Sequence, residues 1–409
     1  MFFKKNQMNK KYIVAFVSFL IQNQISQNIF SLDLKIDLPP QAGKEPVLYY
    51  NPLVQQESAG QERVQATSQN PPLPSKKESA AWKKEDSQKS LPPPPPFLNI
   101  KHQLQKNQPD PFFPLLDCIV DNVNFWEKVY TQIDINEAFL HDKNDLSLIY
   151  SRLFLPGSTR QRIFLMNREK EKYMNILESL SQKLKTPRHK WRPEEMKVAK
   201  LFKKEKLTVK NLKNAKENLR FQTGLKSRFE EGIKRSIQYL PELYPIVRDS
   251  LLPRDLILLP HVESSYNANA GSRAGALGLW QIMPFTMKFY GGSGSVQKRT
   301  DPSFSTKIAM KILKADYDKI QNWPLTLTAY NYGVNGILKA IEKTGSRNLC
   351  RVIDYYESPS FKFASSNFYA QFLAARKVAL NRYKLLSQKG KSASKTVLQK
   401  TFFSIGTKK

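Results

Sequence analysis

Hydrophobic residues recur at three- and four-residue spacing through most of the chain beyond residue 112, a period that predicts helices rather than strands. Up to residue 250 the spacing predicts helices over 123–130, 170–184, 193–204, 209–221, 227–240 and 243–251. No sustained apolar/polar alternation competes with them. Pro193 and Pro241 read as first-turn prolines of new helices. A further helix begins at Pro253, carries Leu256, Ile257, Leu259 and Val262, and stops in a Gly, Ser and Ala turn over 264–275. Helices are then predicted over 277–290, 305–320, 323–331, 334–343 and 368–386. The whole pattern is that of an all-α fold.

Ahead of residue 112 the pattern changes. Lys4, Lys5, Lys10 and Lys11 precede an apolar run over 12–21 and then the polar stretch QNQISQN. This reads as a secretory signal peptide, because the run is shorter than the ~20 residues of a spanning helix. No A-x-A cleavage site is evident, so an uncleaved membrane anchor stays open as the alternative. Residues 32–114 are rich in Pro, Gln, Ser and Lys, including five consecutive prolines over 92–96, and read as a disordered, partly polyproline II linker. The chain thus divides into a signal or anchor over 1–31, a linker over 32–114, a helical region over 115–250, a second helical domain over 251–386 and a basic tail over 387–409.

Charge and cysteines narrow the partners. Lys and Arg total 65 against 35 Asp and Glu, a net charge of +30, which calls for an anionic partner such as nucleic acid, an anionic lipid surface or a charged wall polymer. An export signal and the absence of a recognised nucleic-acid-binding motif set nucleic acid aside. Cys118 and Cys350 are the two cysteines; an exported protein can pair them, and two separate thiols fit the sequence equally well. With four scattered histidines and neither HExxH nor CxxC, no metal site is expected.

The candidate chemistry lies in HVESSYNANAGSRAGALGLWQIMP, residues 261–284, and LTAYNYG, residues 327–333. Glu263 ends an apolar helix, where desolvation should raise its pKa and hold the proton that a general acid must donate. The plainer alternative is a helix-end glutamate in a surface salt bridge. From residue 264 to 300 there is no Asp or Glu, and Asp301 before Pro302 reads as a helix cap. Most glycosidases use two carboxylates. A single one suffices, acting as acid and then as base, if the nucleophile belongs to the substrate, as the C6 hydroxyl of muramic acid does. Ser272 and Gln281 can hydrogen-bond a sugar, while Trp280, Tyr330 and Tyr369 offer flat faces with polar edges. Core packing is an equal reading for Trp280 and the better one for Met283, which can also line a groove.

The segments VESSYN, SRAGALGLWQIMP, DPSFS, TAYNYGVNGI and NFYAQFLAA, in this order, resemble the lytic transglycosylase family with a goose-lysozyme-like catalytic domain, in its membrane-bound type D branch. FWEKVYTQ, HDKNDLSLIY and LRFQTGLKSRFEEGI extend the resemblance upstream, so that it spans about 117–386. It implies Glu263 as the catalytic residue and Ser272, Gln281, Met283, Tyr330, Asn331 and Tyr369 as substrate-binding residues; Trp280 joins the substrate-binding set on its flat face and polar edge alone. It also implies peptidoglycan glycan strands as substrate, cleavage between N-acetylmuramic acid and N-acetylglucosamine with 1,6-anhydro products, and no cofactor; the export signal adds a periplasmic or envelope location, with membrane association through the N-terminus where that segment is retained as an anchor. Three departures stand out. Asn267-Ala268 replaces the usual Asn-Pro, Tyr332 replaces a small residue, and the LysM repeats common in that branch are absent from this sequence.

Overall fold

The computed structural model describes residues 110–203 and 206–389. The signal or anchor, nearly all of the linker and most of the basic tail lie outside the described residues. The described chain is mostly helical. In order, its elements are α1 (Val120–Thr131), β1 (Glu137–Asp142), β2 (Ile149–Phe154), α2 (Thr159–Lys183), α3 (Pro193–Ala199), α4 (Val209–Asn218), β3 (Leu219–Thr223) and α5 (Lys226–Asp249). Then come α6 (Pro260–Glu263), α7 (Pro284–Gly291), α8 (Pro302–Ile320), α9 (Trp323–Tyr332), α10 (Val334–Thr344), α11 (Leu349–Tyr355) and α12 (Phe363–Lys389).

Local chemistry explains most helix starts. Ser158 and Gln161 form a reciprocal capping box at α2, Asp301 accepts from the Phe304 amide at α8, and Asn322 accepts from the Leu325 amide at α9. Pro193, Pro260, Pro284, Pro302 and Pro324 sit in first turns, where the missing N–H costs no helical bond. Pro241 departs from the sequence expectation: it lies with Pro245 inside the continuous helix α5. An interior proline costs about 3 kcal/mol, and here Leu240, Leu243, Tyr244 and Val247, all buried in the main core, hold the helix together across it.

Three strands form an antiparallel sheet in the order β2-β1-β3, within the region read from sequence as wholly helical. The central strand β1, EAFLHD, is buried on both faces and so shows no alternation to read. The helix expected over 209–221 therefore ends at Asn218, and its last residues belong to β3. The helix expected over 277–290 shrinks to Pro284–Gly291. Gly278 and Gln281 take positive φ values of 86° and 47°, and Met283 is held extended by the proline after it.

The buried residues form two clusters. The main one runs from Phe113 to Tyr383 and joins α1, α5, α8, α9 and α12, with α1 packed on α12 and α5 on α8. The second lies between the sheet and α2, α3 and α4, and includes Leu140, Tyr150, Leu177, Trp191 and Leu212. Cys118 and Cys350 are disulfide-bonded, their Cα atoms 5.9 Å apart, so the pairing left open by the sequence is made.

Candidate active site

A 3-10 turn, Arg254–Leu258, runs into the four-residue helix α6, which ends at Glu263. Leu256, Ile257, Leu258 and Leu259 are all buried and fix this segment in the main core. Beyond Glu263 the backbone turns sharply, with Ser265 and Tyr266 at φ 49° and 57°. Three contacts hold that turn. Arg235 of α5 donates from Nε and Nη2 to the Ser265 carbonyl at 3.1 and 2.8 Å. The Ser264 hydroxyl donates to the Leu279 carbonyl at 2.8 Å, and the Tyr266 hydroxyl donates to the Ile257 carbonyl.

A buried polar chain lies behind α6. The Ser236 hydroxyl donates to the Ile233 carbonyl at 2.7 Å, which leaves its oxygen to accept from the Tyr383 hydroxyl at 2.6 Å. The Tyr383 oxygen then accepts from His261 Nε2 at 2.8 Å. Burial depresses the imidazole to about 3, so His261 is neutral and carries its one proton on Nε2. Two residues before Glu263, the short helix is thus tied to both α5 and α12.

Glu263 itself is half-buried, and its carboxyl has no hydrogen-bond or ion-pair partner among the described residues. Solvent reaches part of the residue, yet protein encloses the carboxyl enough that desolvation pushes its pKa up to about 8. No neighbouring charge contributes to that shift. The surface salt bridge that would make Glu263 an ordinary helix-end glutamate is not formed. Two phenols feel its charge. Tyr330 on α9 is raised by burial first and by Glu263 second, and Tyr130 on α1 likewise. Asp316 on α8, lifted by burial to about 6, acts on Tyr330 as well but not on Glu263.

The loop over 271–283 is tied to the turn beyond Glu263 through the Ser264 contact with Leu279. Ser272 and Ala276 close it: the Ser272 oxygen accepts from the Ala276 amide at 2.9 Å, which leaves its proton free to donate. Gln281 donates from Nε2 to the Ala270 and Gly278 carbonyls, both at 2.9 Å. Two carbonyl neighbours fix the orientation of this amide and leave Oε1 as a free acceptor. Arg299 donates to the Gly275 carbonyl at 2.7 Å and to the Ile282 carbonyl at 3.3 Å, tying the loop to the chain ahead of α8. Met283, exposed just ahead of α7, is free to line a groove. The Tyr330 hydroxyl donates to the Trp280 carbonyl at 2.9 Å, bridging α9 to this loop. Asn331 is exposed, its Oδ1 accepting from Ser365 at 2.9 Å.

Two residues expected to offer flat faces do not. Trp280 is 0% exposed and its indole donates to Thr306 at 2.8 Å, so it packs in the core. Tyr369 is 1% exposed and donates to the Pro114 carbonyl at 2.8 Å. In both cases the polar atom that made a sugar-facing role attractive is already satisfied by protein. Tyr130, Arg235 and Arg299 were not singled out in the sequence. Tyr130 lies far upstream in an ordinary amphipathic helix, and each arginine acts on backbone carbonyls that no residue pattern marks. Among the described residues no group of His, Cys, Asp or Glu side chains gathers to hold a metal ion.

The family model described as the Transglycosylase SLT domain matches residues 245–351. The membrane-bound lytic murein transglycosylase D of Escherichia coli (strain K12) is 31% identical over 137 residues, covering 33% of this chain and 30% of that protein. A putative tributyltin chloride resistance protein of Alteromonas sp. (strain M-1) is 33% identical over 113 residues, covering 26% of this chain and 55% of that protein. The chain thus spans about a third of the first relative and about half of the second. The 70 kDa soluble lytic transglycosylase of Escherichia coli aligns at a TM-score of 0.28 and 17% identity, over 55% of this chain and 35% of that one, a likeness too distant to inform the fold. The match to the Transglycosylase SLT domain family thus takes in Glu263, Ser272, Gln281 and Tyr330, all within residues 245–351.

Proposed function

We propose that this protein is a peptidoglycan lytic transglycosylase of the cell envelope, cutting the β-1,4 bond between N-acetylmuramic acid and N-acetylglucosamine. The observation that carries the reading is a solitary carboxyl, Glu263, whose pKa is lifted to about 8 by burial alone. It holds its proton at neutral pH and can protonate the leaving glycosidic oxygen. As the carboxylate formed in that step, it then takes the proton from the C6 hydroxyl of the muramoyl sugar while that oxygen closes on C1. The product is a 1,6-anhydro ring. The proton given and the proton taken balance, and no water is consumed. A solitary carboxyl supports this route over a pair of carboxylates flanking the bond. The Ser272 proton and the Gln281 Oε1, both left free by their loop contacts, supply one donor and one acceptor for the substrate's hydroxyl and N-acetyl groups.

The test is mass spectrometry of fragments released from purified peptidoglycan by the full chain and by Glu263→Gln. Anhydro-muropeptides from the native protein, with none from the variant, are expected. Reducing-end products would instead make the protein a hydrolytic muramidase, and binding without release would make it a non-catalytic wall-binding protein.

A further inference from the structure

We infer that the end of the sheet where β2 runs into α2 is a contact surface for an anionic phospholipid bilayer, independent of the glycan chemistry at Glu263. Four large apolar side chains are exposed there: Phe164 (64%), Phe154 (57%), Ile163 (48%) and Ile135 (45%). The backbone brings them to one end of the sheet. Phe154 pairs with Glu137 across β2 and β1, the Leu155 amide donates to the Asn136 carbonyl at 2.7 Å, and Arg162 of α2 donates to the carbonyls of both Ile135 and Gly157. An open depression lined by Pro156, Gly157, Arg160, Gln161, Phe164 and Leu165 lies at the same end.

Charge selects the partner. Between residues 149 and 168 there are four arginines, Arg152, Arg160, Arg162 and Arg168, and no Asp or Glu. Glu137 is ion-paired with Arg152 and Glu169 with Lys172, while Asp134 keeps its charge beside Ser227, so Arg160, Arg162 and Arg168 carry the excess positive charge. The first turn of α2 carries no acid and two arginines, the reverse of what a helix N-terminus favours. Guanidinium charge is thus added to the positive end of a 25-residue helix, which concentrates positive potential where the apolar side chains project. Arg168 lies 6.0 Å from the Phe164 ring centre, so cation and ring are presented together. A charged glycan or acidic polymer would engage the arginines but leave Phe164, Ile163 and Phe154 in water. A bilayer interface takes both, with acyl chains for the apolar groups and anionic headgroups for the guanidinia. Among the described residues no helix is long and apolar enough to cross a membrane.

The experiment uses the full chain carrying Phe164→Cys labelled with an environment-sensitive fluorophore. The two native cysteines are joined in a disulfide and do not compete for label. The probe should shift to the blue on adding phosphatidylglycerol vesicles and stay unchanged with phosphatidylcholine vesicles. A probe at Phe289→Cys, exposed on α7, should report no change with either. Combining Arg160→Glu with Arg168→Glu should weaken the response about tenfold or more, with helical content and muropeptide release unaltered. A silent probe at position 164 would overturn the proposal. So would an equal response to both lipids, an equal response at position 289, or a response to purified sacculi or an acidic protein in place of vesicles.

Discussion

In the proposed mechanism Glu263 carries a proton into the reaction, and its surroundings determine up to what pH it does. Its folded pKa of about 8 stands above the ordinary glutamate value, so the protonated form is favoured in the folded protein. The acid form is complete below the unfolded value and is lost as pH rises through the folded one. kcat/KM should therefore hold across neutral pH and fall on the basic side with a midpoint near 8. Folding linkage has the same sign: stability contributed by this group is present at low pH and lost through that window, and Glu263→Gln should remove the pH dependence. A pH–rate profile beside urea melts of both proteins measures the two together; a basic limb absent up to pH ~10 would refute the acid role. Glu263 stands out in the sequence as the last carboxylate before a carboxylate-free stretch, and the structure sets it at the end of α6 with Ser272 and Gln281 on the loop beyond. Tyr130 was not legible there, since nothing in a helix far upstream says which carboxylate its ring will face.

At the scale of elements, the conformation of the loop over 271–283 decides where Ser272 and Gln281 stand. Gly278 is its tightest point. It takes φ 86°, and a Cβ built there would lie 1.9 Å from the Arg299 carbonyl oxygen, with backbone on both sides and no flexible side chain to yield. Gly278→Ala should cost about 3 kcal/mol or more, joining a left-handed strain to a backbone clash, and should displace Gln281. Chemical denaturation measures the first effect, and a fall in turnover beyond any loss of folded protein measures the second. Gly275→Ala is the control, with φ 92° but nothing within 4 Å of its Cβ, so it should cost only about 1–2 kcal/mol. This loop also shows where helical periodicity misleads. Leu277, Leu279, Trp280 and Ile282 are spaced for a helix, yet Leu277 instead pairs with Gly271 and Ile282 in isolated bridges. The glycine at 278 and the proline at 284 were the contrary signals, and backbone chemistry prevailed over spacing. The sheet escaped notice for the opposite reason, because burial on both faces erased the alternation in β1.

For the whole molecule, the main core crosses from the upstream helices into the matched domain without a break, and α1 stands against the face that holds Glu263. Asn122 and Trp126 of α1 both donate to the Asn367 side chain on α12, at 2.9 and 3.4 Å, and α5 supplies Arg235 to the Glu263 turn. The disulfide adds a covalent tie between the turn ahead of α1 and α11, across 232 residues of sequence. So long a closed loop constrains the unfolded chain strongly, and its loss should cost about 2–5 kcal/mol of stability. The packed and hydrogen-bonded contacts of α1 remain in its absence, so the site should stay assembled at low temperature. Replacing both cysteines, Cys118→Ser with Cys350→Ser, should therefore lower the urea midpoint while leaving product release at 25 °C nearly unchanged. If release collapsed in step with the bridge while the protein stayed folded, the disulfide rather than the core would be what holds α1 against Glu263. That outcome would make the site dependent on an oxidising compartment, where such bonds form and persist.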